Sequence, residues 1–431
     1  MDSSNLSSGF SPTKRLWPIW LIRRVCLRAF TLFAFSTIIL VFLLLNRTPN
    51  HHAPLSSPTI KTIVHGKVVK GKPEIRYPLK PFPESAMQSA VATDGYNRNR
   101  QQRPWLAAVI CAASDMEQRL LIRTTWMRLF EDVPFDGRFV VSNPGPRYTD
   151  MVIFENRTFG DIIVLDHLQE DDVTANTIKT LEFYKWLVQG EKKYEFVSKM
   201  DTDLWLNARG FWDQFLVPRL TQRTPSKIWK STVSRTIIGE LYYSRNSHLV
   251  FPQGGIYTTT WDMVELLVSL QTEFQVVTGE DMAISILMHK GSQTGNFVNF
   301  RGSEKFDYSD GDSRGDGTAW ARPDTHPDSA QHAVVGPNPI AIHQLKDKRF
   351  WHKVADCFDS HGIRSPTPAR YHKPPFAARW FDFWYSLGIS GKYTSRINLI
   401  PENLWSFQNG RWICDGIWNL GETRTGFSDV L

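Results

Sequence analysis

Between residues 105 and 201, short apolar runs of strand character alternate with segments of helical spacing, and no other feature so narrows the folds open to this chain. WLAAVICAA (residues 105–113) is a continuous apolar run that suits a strand buried on both faces. Ser114-Asp115-Met116-Glu117 follows as a capping-box pattern announcing a helix that carries IRTTW. RFVVS (138–142) and DIIVLD (161–166) read as strands, NTIKTLEFYKWLV (176–188) as a helix, and FVSKMD (196–201) as a further strand. This alternation predicts βαβ units, a mostly parallel α/β sheet, and a ligand site at the carboxyl ends of its strands.

At the end of the last strand, KMDTDLWLN (199–207) places Asp201 and Asp203 two positions apart. They project to one side if the strand continues and converge if it turns into a loop. Such paired carboxylates suit Mg2+ or Mn2+, above all where a nucleotide diphosphate supplies further oxygens. Acid/base chemistry and a plain solvated strand end are the competing readings. Downstream, IYTTTWDMVELLVSL (256–270) and GEDMAISILMHKG (279–291) have helical apolar spacing, and AIHQL (341–345) returns to strand character. The intervening residues 301–336 are dense in Asp, Gly and Pro, which reads as a functional flap or an insert. Within them DYSDGDSRGDG (307–317) looks like a calcium loop, but Arg314 breaks the register of oxygen ligands.

Charge divides the chain. The first hundred residues carry 14 Lys/Arg against 4 Asp/Glu and the rest 36 against 39, so the overall excess of +7 belongs to the N-terminal segment. The body is mildly acidic, which argues against nucleic acid as a partner. Residues 26–45 form an uncharged apolar run apart from Arg28, long enough to span a bilayer, with Lys14, Arg15, Arg23 and Arg24 before it. The resulting expectation is a cytoplasmic tail (1–25), a single type II membrane anchor (26–45), a Pro/Ser/Lys-rich stem (46–103), a folded body (104–356) and a Trp-rich extension (357–431). A cleaved signal peptide is the alternative to the anchor. With the body lumenal, Cys111, Cys357 and Cys414 permit one disulfide and a leftover thiol, and Cys111, inside an apolar strand, is read as the buried free one. Asn156-Arg157-Thr158 is a possible glycosylation sequon. The tail tryptophans (380, 384, 405, 412, 418) read as packing residues before they read as a sugar platform.

Five blocks then acquire a joint meaning. IRTTW (122–126), DDVTANTIKT (171–180), KMDTDLWLN, FPQGGIYTTT (251–260) and GEDMAIS (279–285) occur in the order and approximate spacing of the beta-1,3-glycosyltransferase family that includes Fringe and the beta-1,3-galactosyltransferases. With AIHQL, the resemblance spans roughly residues 104–351. It implies a GT-A, Rossmann-like fold, a UDP-sugar donor, a glycan acceptor, a divalent cation (Mn2+ or Mg2+) and inversion at the anomeric carbon, in the Golgi. Asp203 matches the metal-contacting aspartate, Asp201 its partner near ribose and metal, and His343 the late histidine of the metal site; a core histidine is the plainer reading of His343. Asp281 matches the catalytic base, with Glu280 as substitute, although both also suit a helix N-terminus as simple negative charge. Gly254 and Gly255 match the glycine segment against the sugar, where an ordinary turn is the other reading. Arg123, Asn176 and Lys179 match donor-side positions, for which surface pairing and helix capping are the bland explanations. The chain departs from the family at Thr202, where an acid is common, and FPQGG lacks a frequent cysteine. A lumenal glycan-binding protein that keeps the fold without turnover, and a glycosidase using paired carboxylates, are the rival functions. The sequence leaves the oligomeric state open.

Overall fold

The computed structural model describes residues 62–64, 67–69, 79–83, 103–223, 228–300, 304–308, 339–364 and 400–424, which fall within one compact unit. The expected anchor at 26–45 lies outside these residues, and among them no helix is long and apolar enough to cross a membrane. Inside the stretch read as a stem, Thr62–Val64 pairs antiparallel with Lys67–Val69.

The body begins with β1 (Trp105–Ile110), α1 (Met116–Ile122), β2 (Phe135–Asn143), α2 (Gly145–Phe159) and β3 (Ile162–Gln169). It continues with α3 (Asp172–Thr177), α4 (Lys179–Gln189), β4 (Phe196–Asp201), β5 (Trp205–Leu206), β6 (Thr236–Ser244), β7 (Leu249–Thr260), α5 (Trp261–Phe274), α6 (Glu280–Lys290) and β8 (Gly295–Asn299). Then come β9 (Lys305–Asp307), β10 (Ala341–His343), α7 (Lys348–Ala355), β11 (Trp405–Gln408), β12 (Arg411–Cys414) and β13 (Trp418–Gly421). Ten strands form one sheet in the order β11-β12-β13-β8-β6-β7-β4-β1-β2-β3. Five of its nine neighbouring pairs are parallel, including the whole β4-β1-β2-β3 block, and β7 enters antiparallel beside β4. The expected mostly parallel α/β sheet is therefore present, with an antiparallel hairpin set into it.

β1 shows why its sequence is continuously apolar. Trp105, Ala107 and Val109 enter one core with Trp126, Phe211 and Trp351, while Leu106 and Ala108 enter the opposite core with Phe183, Val264 and Leu287. Both faces are covered by helices, so no position in the strand is left for a polar residue. Each such large apolar side chain contributes about 1.5–3 kcal/mol on burial.

Four sequence expectations need correction here. IYTTT is strand, not helix: Tyr257, Thr258 and Thr259 pair with β6 on one side and β4 on the other, and the helix starts only at Trp261. The β-branched threonines favour that central ladder. No capping box forms at α1, because Ser114 donates to Asp115 Oδ1 (3.1 Å) and the helix has no side-chain cap. The division at residue 357 gives way as well. β13 pairs parallel with β8, Trp418 is fully buried, and its Nε1 donates to Val250 O at 3.1 Å, so residues 405–421 extend the sheet, while Trp380 and Trp384 lie outside the described residues. Lastly, Cys111, Cys357 and Cys414 are all free thiols; Cys111 is buried, as expected.

Candidate active site

Strand order reverses around β1, which lies between β2 and β4, and a crevice opens where these strands end. Ile110, the last residue of β1, is in register with Asp201, the last of β4. Two adjoining cavities of about 630 and 670 Å3 share Ser114, Asp115, Asn176, Asp201 and Thr202. The first also reaches Asp203, Lys346 and Lys348; the second reaches Lys199, Gly254, Glu280 and Asp281.

A small second sheet brings the distant histidine to this crevice. β5, directly after Asp203, pairs antiparallel with β10 (Trp205 with Ile342), and Leu345 N donates to Asp203 O at 2.9 Å. His343 Nε2 thereby lies 3.6 Å from Asp201 Oδ2 and 3.3 Å from Asp203 Oδ1. One ligand atom from each of Asp201, Asp203 and His343 falls within 4.8 Å of the others. On the other ring nitrogen, Nδ1 lies 2.7 Å from Asp307 Oδ1. Burial opposes a charge on this ring, but hydrogen bonds to Asp201, Asp203 and Asp307 push it up to about 10. Two carboxylates and an imidazole at this spacing fit a divalent cation of the Mn2+ or Mg2+ kind. Gly255 shows how close the packing is: a Cβ there would stand 3.0 Å from His343 Cδ2 and Nε2.

The opposite wall is organised by Lys199, whose side chain is 3% exposed. Its ammonium donates to Asp201 Oδ1 (2.7 Å), to Gly254 O (2.6 Å) and to Glu280 Oε1. Burial would neutralise this lysine, yet Asp201 and Glu280 hold it charged, well above its ordinary range. Against the cost of burial, Lys199 and His343 hold the Asp201 carboxyl at about 2. Glu280 also accepts from Thr180 Oγ1, and burial, only partly offset by Lys199, pushes it up to about 7. Asp281, the next residue on α6, is also raised by burial, with Lys199 opposing; its Oδ1 accepts from Met282 N at 2.9 Å. Of the two acids, Glu280 has both oxygens engaged.

The structure thus brings together Asp201, Asp203, His343, Gly254, Gly255, Glu280, Asp281 and Asn176. Asn176 is exposed on the cavity edge and donates to Asp172 O at 2.6 Å. Lys179 borders the second cavity but is fully buried, with Nζ donating to Cys111 O (2.8 Å) and paired with Glu170 (3.4 Å). Arg123 sits elsewhere. Its guanidinium is paired with Asp161 (2.8 Å) and Glu155 (2.7 Å) and packs on the Phe139 and Phe159 rings, and it lines neither cavity. The expected nucleotide contact gives way to a structural ion pair. The sequon expectation fails too: Asn156 is 1% exposed inside α2 and its Oδ1 accepts from Ile162 N (3.0 Å), leaving no room for a glycan. Lys199, Thr180 and Asp307 were not anticipated. Lys199 had a signal, since it stands two residues before Asp201 on the same side of a strand. Asp307 had none, because its place depends on the parallel pairing of β9 with β10.

The galactosyltransferase family model matches residues 117–292, which hold Asp201, Asp203, both glycines, Glu280 and Asp281. Among curated proteins the chain is similar to beta-1,3-galactosyltransferase 1 of Mus musculus and of Homo sapiens. Each is 24% identical over 206 residues, covering 45% of this chain and 63% of the relative. The resemblance to the beta-1,3-galactosyltransferase group is borne out by the family match over residues 117–292 and by these relatives, of whose length the chain spans less than two thirds. Among solved structures, the galactosyltransferase LgtC in complex with donor and acceptor sugar analogues covers 65% of this chain and 95% of its own. It is 9% identical with a TM-score of 0.33, too distant to bear on the chemistry here.

Proposed function

We propose that this chain is a metal-dependent glycosyltransferase that moves a hexose or N-acetylhexosamine from a UDP-sugar to a glycan hydroxyl with inversion, forming a beta-1,3 linkage. The observation that carries this reading is the pairing, around one crevice, of a cation-type triad with the Asp281 carboxylate, which lines the adjoining cavity. Asp201, Asp203 and His343 are the residues that would hold Mn2+ or Mg2+, which supplies charge stabilisation to a departing diphosphate. Asp281 takes the acceptor hydroxyl's proton: its raised basicity and its place in the second cavity suit that task. Glu280 is tied to Lys199 and Thr180 and serves to fix the α6 terminus. The apolar run at 26–45 and its basic flank support a type II anchor with the body in the Golgi lumen.

The test is a screen of UDP-sugars with the purified chain, Mn2+ or EDTA, and an acceptor panel, reading UDP release. Turnover of at least one donor that EDTA abolishes is expected. No turnover of any donor, with UDP still bound, would instead favour the non-catalytic glycan-binding alternative.

A further inference from the structure

Asp307 belongs to a stretch whose sequence looks like a failed calcium loop, yet the residue is only 3% exposed and its carboxylate lies directly behind the His343 ring. The parallel ladder of β9 and β10 puts Asp307 in register with His343, and Tyr308 N donates to His343 O at 2.7 Å. The carboxylate is oriented from behind as well. Lys305 Nζ, fully buried and donating to Glu240 Oε2 at 2.6 Å, stands 3.8 Å from Asp307 Oδ1, and Gln344 Nε2 donates to Oδ2 at 3.4 Å. The opposite ring nitrogen, Nε2, faces Asp201 and Asp203.

We propose that Asp307 is a positioning residue that fixes the tautomer and direction of the His343 imidazole, so that Nε2 is presented to a divalent cation shared with Asp201 and Asp203. The inference rests on the metal reading above. Asp307 is not itself a ligand, since it contacts Nδ1, on the far side of the ring. A carboxylate accepting the Nδ1 proton leaves the Nε2 lone pair free and makes it more basic, and loss of such an outer partner weakens metal binding about 10–100-fold. Gly255 leaves the ring the room that a Cβ, 3.0 Å from His343 Cδ2 and Nε2, would take.

The experiment is Mn2+ titration of the full chain in detergent, without donor, following the magnetic resonance signal of free Mn2+. Asp307→Asn keeps the shape, and leaves Lys305 paired with Glu240. It should weaken binding about 10–100-fold while the unfolding midpoint stays close to that of the unaltered chain. His343→Ala should weaken binding at least as much, and adding Asp307→Asn to it should change little more, because Asp307 acts only through the ring. Asp307→Asn binding Mn2+ within about twofold of the unaltered chain, or full additivity in the double variant, overturns the proposal and leaves the metal reading standing. An unaltered chain that takes up no Mn2+ defeats both. If Asp307→Asn does not fold, Asp307→Glu, which keeps the charge but shifts the oxygen, is read in the same titration; undiminished affinity there also overturns it.

Discussion

Two buried charge clusters lie on the same sheet and obey opposite rules. At the scaffold end, Arg119 and Arg123 face Glu155 and Asp161: Arg119 makes a two-pronged pair with Glu155 (2.9 and 2.6 Å), and Arg123 another with Asp161 (2.8 Å each). Arg119 also donates to Ala112 O and Ala113 O, tying down the loop after β1. Cations match anions, and despite burial the guanidiniums are held above their ordinary range and Glu155 below its own. In the crevice, Lys199 and His343 face Asp201, Asp203, Glu280 and Asp281. Negative charge is in excess, and burial moves Glu280 to about 7 and Asp281 upward, toward the range where protons exchange. A closed cluster holds structure; an unbalanced one holds room for a cation and a proton.

The largest expected effect tests the unbalanced cluster. Asp281→Asn should lower transfer about 10²- to 10⁴-fold while UDP and Mn2+ still bind, and Asp203→Ala should lose the binding itself. Equal loss of binding in both variants would erase the division of roles. On the closed side, Glu155→Gln leaves a buried guanidinium short of its partner and should cost about 3–5 kcal/mol in urea unfolding. Activity per folded molecule should be unchanged; a specific loss of donor binding would return Arg123 to the active site.

Asp136 extends the closed pattern and makes it sensitive to pH. Burial favours its neutral form, but Arg138 (3.1 Å), Lys192 (2.8 Å) and Tyr194 (2.7 Å) hold the carboxyl at about 2. Because its folded value is depressed, the stabilisation is fully present above the ordinary aspartate range and lost as pH falls through about 2. It amounts to about 2 kcal/mol. Unfolding midpoints between pH 5 and 2 should fall less steeply in Asp136→Asn than in the unaltered chain; parallel curves would refute this.

The sequence made the strands legible wherever a local period decided the matter. β1, β3 and β4 announce themselves because residues buried on both faces must be apolar in succession. Asp201, Asp203, Glu280 and Asp281 were legible for a different reason, since they sit in short blocks at element ends. What escaped notice was set by long-range pairing: IYTTT is strand because β4 and β6 flank it, residues 418–421 are sheet because they pair with β8, and Asp307 matters because β9 lies beside β10. Arg123 misled because the same side chain suits an ion pair with α2 as well as a nucleotide, and only the fold places Glu155 and Asp161 against it.

The smallest expected effect uses two glycines to sharpen the contrast. A Cβ at Gly255 would meet His343 Cδ2 and Nε2 at 3.0 Å, and one at Gly137 in β2 would meet Met127 Cε and Sδ at 3.2 Å and Phe135 Cε2 at 3.3 Å, nearly the same crowding, far from the crevice. The neighbours differ in what they can yield. Met127 is an unbranched side chain that turns aside at little cost. The His343 ring is held on its other nitrogen by Asp307, so it must tilt away from Asp201 and Asp203 or push the β7 backbone. Neither glycine has a positive φ, so the alanine backbone itself is unstrained and the effect isolates the contact. Gly137→Ala should leave Mn2+ affinity unchanged, whereas Gly255→Ala should weaken it by a few-fold up to about tenfold, less than loss of an outer hydrogen-bond partner. Equal affinities in the two variants would mean that the ring is free to move, and the crevice would then be no more finely placed than the scaffold beneath it.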